Sequence, residues 1–199
     1  MSPAPAEARK AAPAATSPAS APATPAPTPV AATEVSTAAR RHVVTALVVD
    51  RPGTLNRVAG LFRARTFNIE SLTVGTTLRP GCSRMTIVIR GDDAHLAQVL
   101  AQLERLIEVI EVRDLTRAPR LELELALVEV DVPRDAAARE AIEAAIDEAG
   151  GRIVEIADGA WRLSLTAPPD RIEAALDRIR DRGVREIVRA GSVAMPHHD

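Results

Sequence analysis

From His42 onward the apolar positions follow first a strand-like and then a helix-like rhythm, and the same order of rhythms occurs twice. Val43 to Val49 is a near-continuous, β-branched apolar run, the pattern of a strand covered on at least one face. It stops at Asp50-Arg51-Pro52-Gly53. Beyond that turn Leu55, Val58, Ala59 and Phe62 recur at i, i+3, i+4 and i+7, one stripe of a helix able to cover a sheet, with Arg63 and Arg65 toward solvent. Ile69 to Thr76 and Met85 to Arg90 are strand-like runs separated by Leu78-Arg79-Pro80-Gly81, whose Pro-Gly pair predicts the reversal of an antiparallel hairpin. Leu96, Val99, Leu100 and Leu103 repeat the helical stripe, and Ile107 to Val112 supplies a final strand. Together these elements make one βαββαβ unit.

A second unit opens at Leu121-Glu122-Leu123-Glu124-Leu125, whose alternation puts leucines on one face and glutamates on the other, as in a half-buried strand. Ile142, Ala145, Ile146 and Ala149 form the next helical stripe, closed by Gly150-Gly151 at a helix end that favours the left-handed conformation. Ile153 to Ile156 and Trp161 to Leu165 follow, with Asp158-Gly159 as the hairpin turn between them. Pro168-Pro169 starts a helix carrying Ile172, Ala175, Leu176 and Ile179, and Val184 to Val193 closes the unit. The expected fold is therefore α+β, with two ferredoxin-like βαββαβ domains at 41–117 and 118–199.

The stretch before them, 1–40, is different in kind. Ser2 to Ala39 is mostly Ala, Pro, Thr and Ser, a composition that denies backbone donors and offers little to bury, so a disordered tail is expected. Only Arg9 and Lys10 precede Arg40, which argues against an Arg-rich organellar transit peptide.

Composition narrows the function mainly by exclusion. A formal charge of −2 over 199 residues advertises neither a nucleic acid nor an anionic membrane as partner. With two Phe, one Trp and no Tyr, the chain lacks the aromatic platform on which ferredoxin-like RNA binders stack bases. Cys82 is the single cysteine, which excludes an internal disulfide or a cysteine pair for zinc and suits a reducing cytoplasm. No apolar run is long enough to span a bilayer. There is no P-loop, no glycine-rich dinucleotide fingerprint and no His/Cys cluster at ligand spacing, so catalysis by this chain is not expected. The histidines at 42, 95, 197 and 198 stand beside no nucleophile motif and are assigned surface roles. His197-His198-Asp199 reads as a frayed terminus, Cys82 as a passive thiol in a hairpin loop, Trp161 as core, and Arg178, Arg180, Asp181 and Arg182 as a solvated helix end.

Two segments carry candidate chemistry. In Asp50-Arg51-Pro52-Gly53-Thr54-Leu55 a strand turns directly into a helix, whose unpaired first-turn N–H groups attract an anion such as an amino-acid carboxylate. An acidic side chain beside them suits an ammonium group. The plainer reading is a strand-to-helix turn with Asp50 helping to cap it. The second segment, Asn68-Ile69-Glu70-Ser71-Leu72-Thr73-Val74, begins a strand that the ferredoxin-like order places at a sheet edge, where it invites pairing with another chain. In a two-fold dimer the Gly53 loop of one subunit would approach Asn68 of the other around a small aliphatic cleft.

That loop, the helix Arg57-Val58-Ala59-Gly60-Leu61-Phe62, the Asn68–Val74 segment and Ser83-Arg84-Met85-Thr86-Ile87 resemble the acetolactate (acetohydroxyacid) synthase small regulatory subunit. The resemblance spans roughly His42 to Val193. It implies an N-terminal ACT domain followed by a C-terminal ferredoxin-like domain, and a regulatory rather than catalytic role. It further implies homodimerisation through the ACT domains and feedback control by a branched-chain amino acid, valine foremost, at their interface. Asp50, Pro52, Gly53, Thr54, Leu55, Asn68 and Ile69 are the effector-site positions carried over. Asp50 stands where many relatives have asparagine and Thr66 where many have glycine. The implied partner is a separate large catalytic subunit carrying thiamine diphosphate, Mg2+ and FAD, with no cofactor in this chain. The main rival is a free-standing ACT-type amino-acid sensor controlling another enzyme or a transcription factor.

Overall fold

The computed structural model describes residues 40–64 and 67–197. Most of the expected tail therefore lies outside the described residues, as do Arg65, Thr66, His198 and Asp199; Arg40 is described as the first residue of a strand. The chain runs β1 (Arg40–Val49), α1 (Thr54–Ala64), β2 (Asn68–Thr76), β3 (Cys82–Gly91), α2 (Asp93–Leu103), β4 (Val109–Asp114), then β5 (Arg120–Asp131), α3 (Ala136–Glu148), β6 (Arg152–Ala157), β7 (Ala160–Ala167), α4 (Pro169–Ile179) and β8 (Val184–Pro196). These form two antiparallel four-stranded sheets, ordered β2-β3-β1-β4 and β6-β7-β5-β8, so the ferredoxin-like βαββαβ pattern occurs twice.

In the first half, Val44, Ala46 and Val48 of β1 meet Ile87 and Ile89 of β3 beneath Val58 and Phe62 of α1 and Leu96, Val99 and Leu103 of α2. The opposite face of β1 is covered too. Val43 and Val88 pack with Leu115 and with Ala194 of β8, which explains why an unbroken apolar run is needed at β1. In the second half, Ala126, Val128 and Val130 of β5 and Trp161, Leu163 and Leu165 of β7 pack under Ile142 and Ala145 of α3 and Ile172, Leu176 and Ile179 of α4. Each of the large fully buried side chains contributes roughly 1.5–3 kcal/mol of apolar burial.

Turn chemistry follows the sequence. Asp158 and Gly159 both have positive φ, 54° and 72°, the requirement of the tight hairpin turn joining β6 to β7. Gly150, at φ 56°, ends α3, with the Gly151 N–H donating to the Ile146 carbonyl at 2.7 Å.

The structure also corrects several expectations. The α1 stripe facing the sheet runs through Thr54, Val58 and Phe62, which turns Leu55 outward, 46% exposed. The fourth strand starts at Val109, leaving Ile107 in solvent. His42 is fully buried rather than superficial: it lies on β1, covered on both faces, with Nε2 2.9 Å from the Gly91 carbonyl. Cys82 is buried as the first residue of β3 instead of lying in the hairpin loop.

The largest departure is on β5, which alternates as expected but buries the other face at its start. Glu122 and Glu124 are 9% and 6% exposed, while Leu121, Leu125 and Leu127 are 45%, 39% and 46% exposed. On the glutamate side of β5, Glu122 meets Arg41 of the first half and Arg120 of its own strand, and Glu124 meets Arg189 of β8. The leucine side is the face of the sheet that carries no helix, and cross-strand Val193 and Met195 of β8 share it with Leu123 and Leu121. This contiguous aliphatic surface is more than a solvent-facing sheet needs.

Candidate functional site

The turn between β1 and α1 is held by backbone geometry. The Asp50 N–H donates to the Gly81 carbonyl at 2.9 Å, the Thr54 N–H to Arg51 at 3.2 Å and the Arg57 N–H to Gly53 at 3.0 Å. Thr54 is buried and its hydroxyl donates to the Val49 carbonyl at 3.0 Å, so this side chain ties the helix start to the strand end. Gly53 has φ +90°, a conformation that side-chain-bearing residues rarely adopt, although nothing lies within 4 Å of the place a Cβ would occupy. Among the described residues the Leu55 and Asn56 N–H groups have no backbone partner, as expected for a helix's first turn. Asp50 is exposed and, among the described residues, makes no cap bond to α1; the first helix-start N–H, that of Arg57, goes to the Gly53 carbonyl, while Thr54 anchors the turn to β1. The result is a small lip with first-turn donors, an exposed carboxylate at Asp50 and an exposed aliphatic group at Leu55.

Asn68 and Ile69 sit elsewhere. Asn68 is exposed at the first position of β2, and Ile69 is half-buried against the first-half core. Asn68 pairs with Arg90, which pairs on its other side with Arg41, whereas Val49 pairs with Cys82 and Thr76 with the adjacent Ser83. Asn68 therefore shares a row with Arg41, at the far end of β1 from the Gly53 turn, about 27 Å away at roughly 3.3 Å per strand residue. Within one chain, Asp50, Pro52, Gly53, Thr54 and Leu55 come together, and Asn68 and Ile69 do not join them. β2 is the terminal strand of its sheet.

Sequence reading missed a charged cleft between the two halves. It encloses about 1190 Å³ and is lined by Arg41, Arg90, Glu122, Glu124, Glu173 and Arg189, among others. Arg189 grips Glu124 with two nitrogens, at 2.6 and 2.8 Å, and reaches Glu173 at 2.9 Å. Hydrogen bonding to Glu124 first, against the cost of desolvation, raises the Arg189 pKa above its ordinary value. Burial pushes the Glu122 carboxyl up, but hydrogen bonds from Arg41 and Arg120, the Arg41 charge and the Ser192 hydroxyl outweigh it and hold Glu122 below the ordinary glutamate value. Each carboxylate of the cleft that is paired here faces a guanidinium at hydrogen-bonding distance, which makes the cleft a structural joint rather than an acid–base centre. Among the described residues no group of three or more His, Cys, Asp or Glu is placed to hold a metal ion. No helix among them is long and apolar enough to cross a membrane. The sequence signal for the cleft was the pair of glutamates on the strand side that continues into Ala126 and Val128.

Known proteins match this arrangement over both halves. The family described as AHAS small subunit-like ACT domain matches residues 45–111, and that described as small subunit of acetolactate synthase matches 123–198. A probable acetolactate synthase small subunit of Methanothermobacter thermautotrophicus is 44% identical over 77% of this chain and 91% of its own. The acetolactate synthase small subunit of Aquifex aeolicus is 38% identical over 78% of this chain and 81% of its own. The crystal structure of the Thermotoga maritima acetolactate synthase small subunit superposes with a TM-score of 0.71 at 33% identity, covering 80% of this chain and 99% of that one. With a matching family on each half and similar relatives running through both, this chain belongs to the acetolactate synthase small-subunit family.

Proposed function

We propose that this chain is a non-catalytic, cytoplasmic regulatory subunit that binds and stimulates a separate acetolactate synthase large subunit and makes it sensitive to a branched-chain amino acid, valine foremost. The observation that carries the reading is the separation of Gly53 from Asn68 along a sheet whose terminal strand is β2. If two copies pair antiparallel along β2 about a two-fold axis through Leu72, Asn68 of one falls opposite Thr76 of the other. Thr76 lies at the Gly53 end of the sheet. The two sets of candidate residues, far apart in one chain, then meet across the interface twice. Unpaired N–H groups at the start of α1 receive the effector carboxylate, Asp50 faces its ammonium group, and Leu55 and Ile69 supply aliphatic surface for a branched side chain.

The reaction itself belongs to the large subunit, whose expected thiamine diphosphate, Mg2+ and FAD supply the carbon–carbon bond chemistry there. What this chain contributes is a conformational bias: effector binding favours an arrangement of the complex that is less active. Reconstitution tests the reading. The cognate large subunit is assayed for acetolactate formation with and without this chain, and then titrated with valine. Stimulation by the chain followed by inhibition with valine is the expected result; no effect of either overturns it.

A further inference from the structure

The face of β2 away from its helices is clamped to the second half at one residue. Ser192 on β8 is 1% exposed and is held from three directions by the first half. Its backbone N–H donates to the Ser71 hydroxyl at 3.0 Å, its carbonyl accepts from the Thr73 hydroxyl at 2.8 Å, and its own hydroxyl accepts from Arg41 at 3.2 Å. Ser71 and Thr73 are two apart on β2 and so project from the same face, while the N–H and C=O of one strand residue point to the same side. The two hydroxyls thereby satisfy both outward-facing backbone groups of Ser192, as a neighbouring strand would.

The neighbouring residue is shaped for this contact. The β5–β8 register breaks between Glu124, opposite Ser192, and Ala126, opposite Arg189, so Ala190 and Gly191 together face Leu125 as a bulge. Gly191 has φ +83°, and a Cβ there would meet the Ser71 Oγ at 2.5 Å and the Thr73 Cγ2 at 3.2 Å. Both the backbone conformation and the close approach therefore require glycine.

We propose that the Ser71/Thr73–Gly191/Ser192 clip is the mechanical link by which occupancy of the amino-acid site is passed from the first half to the second. The inference deepens the regulatory reading above and rests on it. β2 is engaged on all its sides: its inner edge by β3, its helix-side face by the core through Ile69 and Leu72, its other face by Ser192, and its outer edge by the proposed second copy. A movement of β2 on effector binding must carry β8 along or break both hydroxyl bonds. Ser71 and Thr73 are positioning residues here, with no contact to the effector.

The experiment uses the full chain with its large subunit and two readouts, calorimetric binding of valine to the free chain and inhibition of the complex. A Ser71→Ala/Thr73→Val variant is expected to bind valine within about threefold of wild type. The valine concentration for half-inhibition should rise about fivefold or more, since couplings of this kind span roughly 5- to 150-fold in affinity. Thr73→Ser, which keeps the hydroxyl, should behave as wild type. Gly191→Ala perturbs the clip from the second half and should give the same uncoupling, which covers the case in which the double variant folds poorly. Wild-type inhibition in both the double variant and Gly191→Ala overturns the link. Loss of valine binding in both overturns it as well, because the clip would then be part of the binding site. A wild-type chain that binds no valine and leaves the large subunit unchanged instead fails the regulatory reading itself.

Discussion

Arg41 on β1 reaches across to Glu122 on β5 with both terminal guanidinium nitrogens on the two carboxylate oxygens, and Arg120 holds the same carboxylate from the side at 2.9 Å. This contact joins the two halves at the mouth of the charged cleft, and its sign with pH follows from its surroundings. Burial alone would raise the Glu122 pKa, but the arginine donors outweigh it and lower the pKa from its ordinary value of 4.5. A lowered folded-state pKa means that the contribution is complete above the unfolded-state value and is lost as pH falls through the folded one. Glu122→Gln is expected to destabilise the chain by ~1–3 kcal/mol near neutrality. In urea denaturation that difference should hold from about pH 7 to about pH 5 and shrink below about pH 4. A difference that grows on acidification would contradict this assignment.

The separation of Gly53 from Asn68 predicts complementation between broken chains. Gly53→Asp places a carboxylate at the lip that would receive the effector's own, and Asn68→Ala removes the opposing amide; each homodimer should lose valine binding. In a mixed dimer of the two variants, one site combines both lesions and the other combines an intact lip with an intact asparagine. Random mixing makes about half the dimers mixed, so about one quarter of the sites return. Calorimetry on co-refolded variants reads this directly. Recovery of none would place both residues in a site made by a single chain, against the geometry above.

The hairpin between β6 and β7 offers a measure of backbone strain alone. Gly159 has φ 72°, and a Cβ there would meet nothing nearer than an Arg185 nitrogen at 4.0 Å, the far end of a flexible side chain. Gly159→Ala is therefore expected to cost about 1–2 kcal/mol through the left-handed conformation, with no steric component. Asp158, at φ 54°, already shows which residue type tolerates that region. A thermal melt indistinguishable from wild type would mean that the turn relaxes to another form.

How much of this was legible beforehand depended on the range of the interaction. The β1 run, the α2 and α4 stripes and the Asp158-Gly159 and Gly150-Gly151 turns depend on residues close in sequence, and period and turn chemistry revealed them. Asp50, Pro52, Gly53, Thr54 and Leu55 lie together simply because they are neighbours on one turn, whose helix start is bonded at the Gly53 carbonyl and not by Asp50. The contact of Ser71 and Thr73 with Ser192 was invisible, since it links residues about 120 apart through side chains common on any strand. His42 was misjudged for a related reason. Its side chain shares the helix-side face of β1 with Val44 and Ala46, where Nδ1 lies 4.0 Å from Asp93 at the start of α2 and Nε2 meets the Gly91 carbonyl, a cover supplied by residues about 50 positions away.

The inverted first turns of β5 give a prediction that simple hydrophobicity would rank the wrong way. Alternation says only that leucines and glutamates face opposite sides; which side is buried depends on what stands there. Here Arg189 supplies a two-pronged partner for Glu124, while Leu125 looks out from the open face of the sheet. Glu124→Ala leaves the Arg189 guanidinium short of its main acceptor and is expected to cost about 1.5–3 kcal/mol. Leu125→Ala removes a side chain that is 39% exposed. Its expected cost is under ~1 kcal/mol, against ~2–5 kcal/mol for Leu163→Ala in the core of the same sheet. Chemical denaturation of the three variants, with the large subunit absent, ranks them. If Leu125→Ala proves as damaging as Leu163→Ala, the leucine face is already covered in the free protein, and the order of costs along β5 would have to be assigned to that covering contact instead.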